Sequence, residues 1–338
     1  MAFQRFNRQN DVVENQRTII SSGLWSAGSS TLTSFYTQSL NGNITGSFLD
    51  IYQEDSNLSG SAEVQFSLGY AHIAGSGSAG NTTKLTTGGR QSAALYRQFR
   101  NLLLPPNSTN VEFTAGSTVS KDDFYFISFQ RARQREKVDP GNWELHLDGG
   151  GDKVTLIDDS GASNNPTVNE GGRVFNVVAG TISGGVTTAA ASEGGDGAYG
   201  LFYPDLGIIL LNARKLDDDV ADISTARNTD QFDNNPQKLY NSIVEGANFQ
   251  ARREEVISST HYFCRVGNKK FNFSSNPTYF TASDGSFTQP TFFKNPKSYI
   301  TQVGLYNDAN ELLAIAKLSK PLLKSFAREA IVKVKLDF

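Results

Sequence analysis

Apolar and polar positions alternate most cleanly at the end of the chain, where Val332, Val334, Leu336 and Phe338 are interleaved with Lys333, Lys335 and Asp337. A period of two puts the first set on one side of a strand and the second on the other. A free tail has no reason to collect four large apolar groups on one face, so the segment is expected to be pinned into a sheet. Replacing Val334 with Asp should then abolish folding, because it buries an unpaired charge. Two more strand-like runs come before it, one carrying Ile300, Val303 and Leu305, the other Leu312 to Ala316. Between them Asn307-Asp308-Ala309-Asn310 offers side chains that cap their own backbone and tolerate left-handed conformations, which predicts a hairpin. Pro321, lacking the donor a central strand needs, is expected to close the second run.

The same reading predicts strands at Phe48–Tyr52, Ala62–Tyr70, Val111–Phe113 and Phe124–Phe129, the last apolar on both faces and therefore near the middle of a sheet. In the second, Val64, Phe66, Leu68 and Tyr70 face one way against Glu63, Gln65 and Ser67. Asp139-Pro140-Gly141-Asn142 is a strong turn signal and marks a boundary. Beyond it, Trp143–Leu147, Lys153–Ile157, Arg173–Val178 and Gly180–Val186 form short strands at about ten-residue spacing, the pattern of a small β-sandwich or barrel. Residues 189–198 read as loop, and Gly207–Asn212 as a buried strand. Further strands are expected at Glu254–Arg265 and Lys270–Phe273.

Two helices stand out. Gln91 to Leu104 carries Leu95, Phe99, Leu102 and Leu103 on one side with Tyr96 flanking and Arg97 and Arg100 facing away, and Pro105-Pro106 stops it. The second begins at Asn235 as cap and Pro236 at the first turn, buries Leu239, Tyr240, Ile243 and Val244, and stops at Gly246. The fold class is therefore mainly β, a β-rich α+β protein of antiparallel sheets and β-sandwich sub-domains with a few short helices. Three parts are expected. Residues 1–45, polar with only Trp25 and Phe35-Tyr36 as isolated apolar points, form an extended N-terminal arm lying on another surface, and deleting them should leave a folded monomer. Residues 46–140 and 213–338 form the framework, and residues 141–212 an inserted small sandwich or barrel.

Composition sharpens this picture without supplying a chemistry. The 338 residues include 23 Phe, 12 Tyr and 31 Gly, favouring pleated strands joined by permissive turns. A net charge of -3 with both signs interspersed argues against a nucleic-acid binder, which needs a basic stripe. The opening MAFQRFNRQN lacks the apolar core of a signal peptide, and no stretch approaches the about 20 apolar residues of a membrane span. The sequons Asn43-Ile44-Thr45 and Asn81-Thr82-Thr83 then read as chance. One cysteine, Cys264, leaves no intramolecular disulfide and no thiolate metal cluster, and reads as a small buried hydrophobe with no group placed to activate it.

Candidate chemistry fails on context at each point. Gly75-Ser76-Gly77-Ser78-Ala79-Gly80 matches a dinucleotide fingerprint, but no helix pattern begins there and no acid follows at the required distance, so a surface loop is expected. Asp217-Asp218-Asp219 lacks the alternate spacing and the glycine of a calcium loop and reads as a solvated acidic loop. His72, His146 and His261 are too scattered to share a metal. The charged run Gln130–Lys137 is too short for a nucleic-acid channel and reads as a turn or an intersubunit salt-bridge surface. No catalytic, cofactor-binding or metal-binding residue is assigned, no cofactor is expected, and an enzyme is not expected. Two facing carboxylates of a glycosidase are a pairing that sequence leaves open.

Several segments carry a resemblance: the opening Met1-Ala2-Phe3-Gln4, SAEVQFSLGYAHIAGSGS (residues 61–78), ALYRQFRNLLL (94–104), YGLFYPDLGIILLN (199–212) and ITQVGLYNDANELLAIAKLSKPLLKSF (300–326). Together they resemble a family of virion structural proteins from contractile-tailed bacteriophages, especially the T-even-like phages of marine cyanobacteria. The last segment is also similar to a module found where tail-fibre proteins join a baseplate, although here it stands at the C-terminal end. The resemblance implies a structural tail or baseplate component, made in the host cytoplasm and resident in the virion. Its partners would be copies of itself and other tail or baseplate proteins, with no nucleic acid and no membrane. The family has no active site to carry over. Two alternatives stand beside it: a receptor- or carbohydrate-binding adhesin with Gly141–Asn212 as its head, and a polysaccharide-cleaving enzyme.

Overall fold

The fold is that of a computed structural model, which describes residues 3–37, 48–74, 87–115, 118–161, 167–187, 199–220, 223, 235–281 and 284–338. The protein is mainly β, all its ladders are antiparallel, and a few helices accompany them. In chain order the elements begin with α1 (Arg8–Asp11), β1 (Val12–Gly23), β2 (Thr31–Leu32), β3 (Tyr36–Thr37), β4 (Phe48–Tyr52), β5 (Val64–His72) and α2 (Thr87–Leu103). There follow β6 (Phe113–Ala115), β7 (Thr118–Ser120), β8 (Asp123–Phe129), α3 (Arg131–Gln134), β9 (Lys137–Gly149), β10 (Asp152–Asp158), β11 (Thr167–Asn169), β12 (Gly172–Thr181) and β13 (Gly185–Val186). The chain continues through β14 (Gly200–Tyr203), β15 (Ile208–Asn212), α4 (Ala213–Asp219), α5 (Asn235–Gly246), β16 (Phe249–Val266), β17 (Ser298–Tyr306), β18 (Leu312–Lys324) and β19 (Ala330–Asp337).

The chain divides into two compact units, Ile20–Glu255 and a smaller one made of Met1–Ile19 with Val256–Phe338. In the larger unit a run of strands pairs in the order β9-β10-β12-β14-β15-β8-β5-β4-β3. Strands β8 and β15 sit inside this run and bury both faces, as the doubly apolar pattern of Phe124–Phe129 predicts. Tyr125, Ile127, Phe129, Ile209 and Leu211 point into one cluster, together with Leu239 and Ile243 of α5. Phe124, Phe126, Ile208 and Leu210 point into a second, closed by Tyr96, Phe99 and Leu103 of α2. The helix faces differ at their margins from expectation: Tyr96 is fully buried, whereas Leu102 and Val244 are exposed. Each of those two side chains lies at the edge of its stripe, where the sheet no longer reaches it.

The expected division into framework and insertion is replaced by this one. Residues 141–212 are not a separate sandwich, because β9, β10, β12, β14 and β15 are successive members of the sheet that contains β8 and β5. Asp139-Pro140-Gly141-Asn142 is correspondingly no boundary. It lies within β9, where the pairing runs from Ala251↔Trp143 to Arg253↔Val138, so these four residues bulge opposite the single Arg252. Gly141 adopts φ 79°, and its N–H is held by the Asp158 carboxylate at 2.8 and 3.0 Å. Proline thus occupies a position where no ladder donor is needed.

The N-terminal arm is also corrected. Leu24, Trp25, Leu32 and Phe35 are buried in the larger unit's main cluster, and the Trp25 indole donates to the Phe249 carbonyl at 2.9 Å. The rings of Phe66, Phe129 and Phe249 surround that indole at 5.0 to 5.9 Å. A segment that supplies core rings cannot be deleted without unfolding the unit. Residues 3–10 and most of β1 keep the exposed character expected of an arm.

Candidate interaction surface

The smaller unit is built from thin ladders, and β1 also pairs with β16. β19 pairs with the last residues of β16, from Ser259↔Asp337 to Val266↔Ala330, and β17 pairs with β18 across the predicted hairpin. Asn310 takes a left-handed φ of 60°, and Asn307 accepts from the Glu311 N–H at 2.8 Å, the turn chemistry expected of this segment. Val332 and Val334 face inward and meet Leu305, with Tyr262, Cys264, Val303, Ala314, Ala316 and Leu318 packed around them. Only three members of that cluster are fully buried, a small core for two ladders.

Two details of the C-terminal expectation change. Phe338 is 76 % exposed, although its N–H donates to the Ser258 carbonyl at 2.9 Å, so the backbone is zipped while the ring is not covered. Pro321 does not end β18. Pairing passes from Gln302↔Lys317 to Ile300↔Leu322, so residues 318–321 bulge opposite Thr301, the same solution found in β9.

Apolar surface concentrates here. The smaller unit contains fewer than a third of the residues but about two-thirds of the large apolar side chains left exposed among the described ones. On the outward side of the hairpin, Leu313 and Ile315 are 67 % and 53 % exposed, followed on the same face by the exposed Lys317. Ile315 stands opposite Gly304, which has no side chain of its own to cover it, although the Tyr306 ring leans over that glycine. An exposed apolar strand face is a common mark of an interaction surface.

A second feature is an aromatic segment that sequence reading left unremarked. Seven aromatic residues fall between 271 and 293, where a strand at Lys270–Phe273 is replaced by turns. Tyr279 lies 5.5 Å from Phe273 and 5.3 Å from Phe292, Phe280 stacks on Phe287 at 6.0 Å, and Phe293 is 80 % exposed. Fully buried Lys324 anchors the segment's start: its ammonium donates to the Asn268 carbonyl (2.9 Å), Asn272 Oδ1 (2.8 Å) and the Ser325 carbonyl (2.9 Å). Burial pushes its pKa down against the opposing pull of Glu329. All three donors of the ammonium are satisfied by neutral acceptors, which is the arrangement of a structural staple. The density of rings was the available signal for the segment; nothing in the sequence marks Lys324 as different from its neighbours Lys317 and Lys320.

The residues weighed for chemistry are dispersed. His146 Nε2 lies 2.6 Å from Glu144 and 3.1 Å from Asn248 Nδ2, and His72 Nδ1 accepts from the Ala74 N–H at 3.0 Å. His261 is paired across the ladder with Lys335. Cys264 is half-buried, and burial together with Asp11 raises its pKa, the opposite of an activated thiol. Asp217–Asp219 end helix α4 rather than forming a loop, and Asp219 pairs with Lys215 at 3.1 Å. The fingerprint at 75–80 and the loop at 189–198 lie outside the described residues. The charged run is a turn, α3, and three of its cations are spent within the chain: Arg133 on Glu63 (2.9 Å), Arg135 on Glu255 (3.0 Å) and Lys137 on Glu254 (2.7 Å). Among the described residues no group of three or more His, Cys, Asp or Glu is placed to hold a metal ion, and no helix is long and apolar enough to cross a membrane.

All five aromatic residues of the stretch expected to form an adhesin head, Trp143, Phe175, Tyr199, Phe202 and Tyr203, are buried. No family model, no curated protein and no solved structure matches the chain at a significant level.

Proposed function

We propose that this protein is a structural component of a bacteriophage virion, a tail or baseplate assembly protein that works through protein–protein interfaces rather than through chemistry. The observation that carries the reading is the bare apolar face of the β17–β18 hairpin on a unit whose own core has three buried members. A unit so lightly filled gains stability by burying its outside against neighbours, and interfaces of about 1,600 Å² are the usual scale. The resemblance to tail structural proteins supports the particular setting. The adhesin reading loses support, since the aromatic rings of residues 141–212 are core rather than platform.

Quantitative mass spectrometry of purified particles of the encoding phage tests this. Peptides from this chain are expected at fixed stoichiometry with tail proteins and retained after the tails are separated from the heads. Their absence from washed particles, or release of reducing sugar from a host polysaccharide by the purified protein, would overturn the proposal.

A further inference from the structure

The net charge of -3 conceals a division that follows the two units. Met1–Ile19 with Val256–Phe338 holds fourteen Lys or Arg against seven Asp or Glu, a net +7; Ile20–Glu255 holds seventeen against twenty-seven, a net -10. On the smaller unit the excess is displayed where the surface is most apolar. Lys317 and Lys320 on β18 and Lys333 on β19 are exposed, and each adjoins an exposed apolar side chain of its own strand or lies within a few residues of one.

The larger unit presents a feature of opposite sign and matching character. The turn between β4 and β5 raises Leu58, 86 % exposed, on a frame of carboxylates. Asp55 fixes the turn by accepting from the Asn57 N–H at 2.9 Å, and its carbonyl accepts from the N–H groups of Leu58 (3.0 Å) and Ser59 (2.9 Å). Glu54 is exposed and accepts from Ser59 Oγ at 2.6 Å. An apolar tip flanked by Glu54 and Asp55 therefore stands on the acidic unit, and an apolar strip followed by Lys317 and Lys320, with Glu311 ahead of it, on the basic one.

We propose that copies of this chain associate head to tail, the Leu313–Ile315–Lys317 face of one copy seating against the Glu54–Asp55–Leu58 turn of the next. This deepens the assembly reading and rests on it. Two different surfaces meet, so the contact is heterologous: an open row of copies keeps one free basic face at one end and one free acidic turn at the other, and growth ends only if the rotation closes a ring. Complementary charge steers the encounter and rejects the like-to-like arrangement, in which a +7 unit would face another.

Two charge-reversed variants of the full chain test the pairing: Lys317→Glu with Lys320→Glu, and Glu54→Lys with Asp55→Lys. Folding of each is checked by near-ultraviolet circular dichroism. In sedimentation velocity the unaltered protein is expected to self-associate at about 50 mM salt and to weaken about tenfold or more at about 500 mM, where the screening length shrinks severalfold. Each variant alone should be a monomer under the low-salt condition, and an equimolar mixture of the two should associate again. A monomeric unaltered protein, association indifferent to salt, or a mixture that stays dissociated would overturn the proposal, and the salt series on the unaltered protein decides alone if a variant fails to fold. A protein that is monomeric by itself yet present at fixed stoichiometry in the tail would remove the copy-to-copy contact and leave the assembly reading standing. The converse result, self-association without a place in the particle, would do the reverse.

Discussion

The two units handle apolar surface in opposite ways. In the larger, rings from α2, α5 and the segment 24–35 close over both faces of β8 and its neighbours, so that Trp25, Phe66, Tyr70, Tyr125, Phe202 and Phe249 are hidden. In the smaller, two ladders share a core of Leu305, Val332 and Val334 while Leu313, Ile315, Phe293, Ile331 and Phe338 remain outside. The charges differ as well, net -10 against +7. One unit thus closes over its own apolar surface, and the other leaves much of its own exposed.

The most damaging way to test the contrast is Val334→Asp. A lone carboxylate in a core of three costs on the order of 5 kcal/mol, enough to open the smaller unit. Hydrogen exchange is expected to show lost protection across residues 298–338 with β5 and β8 still protected. Equal loss in both sets would mean that the division into units has no energetic reality. This outcome is narrower than the total unfolding that the sequence pattern suggests, because the larger core lies elsewhere.

Trp25→Ala probes the other side. It removes the ring packed among Phe66, Phe129 and Phe249 together with the indole's bond to the Phe249 carbonyl, at a cost of about 3–5 kcal/mol. Urea unfolding should show a lowered midpoint in the transition of β5 and β8, and an unchanged midpoint would return residues 20–37 to the role of an arm. Lys324→Met is a smaller perturbation of the smaller unit. It leaves the Asn268 and Ser325 carbonyls and Asn272 Oδ1 without their donor, at about 2–3 kcal/mol, and tyrosine fluorescence should report loosening around Tyr279.

The mildest effect concerns pH. Asp284 accepts from Thr281 Oγ1 (2.5 Å), Ser286 Oγ (2.8 Å) and the Ser286 N–H (3.1 Å), which hold its carboxyl down at about 2. A depressed carboxylate stabilises the fold above its ordinary titration range and loses that contribution as pH falls through its lowered value. The amide resonance of Ser286 is therefore expected to stay put from neutrality to about pH 4 and to move only as about pH 2 is approached. A midpoint at the ordinary aspartate value would show that the turn is open in solution.

Periodic segments were legible in the chain: the hairpin at 307–310, the doubly buried β8, the two helices and the inward Val332 and Val334 all follow from spacing. Signals that rest on a single residue were not. Pro140 and Pro321 read as stops because the ladder needs donors, yet four-residue bulges let both strands run on. Leu24, Trp25, Leu32 and Phe35 show no period because each inserts separately into a core built by distant strands. The charge division was written in the chain but unmarked: residues 256–338 alone hold eleven Lys or Arg against five Asp or Glu, yet only the unit boundary shows where to begin the count. Of the candidate surface, the hairpin was readable, whereas its outward side could be told from its inward side only once the partner ladder was seen.

The bulge at residues 318–321 bears on how the free chain resists aggregation. Among the described residues β18 pairs with β17 alone, so one margin of a long, apolar strand is open to passing chains. Proline at 321 has no amide to offer, and the bulge takes its neighbours out of register, so an incoming strand could zip only as far as the first half of β18. The protein can in this way display an apolar face while remaining a poor seed for fibrils.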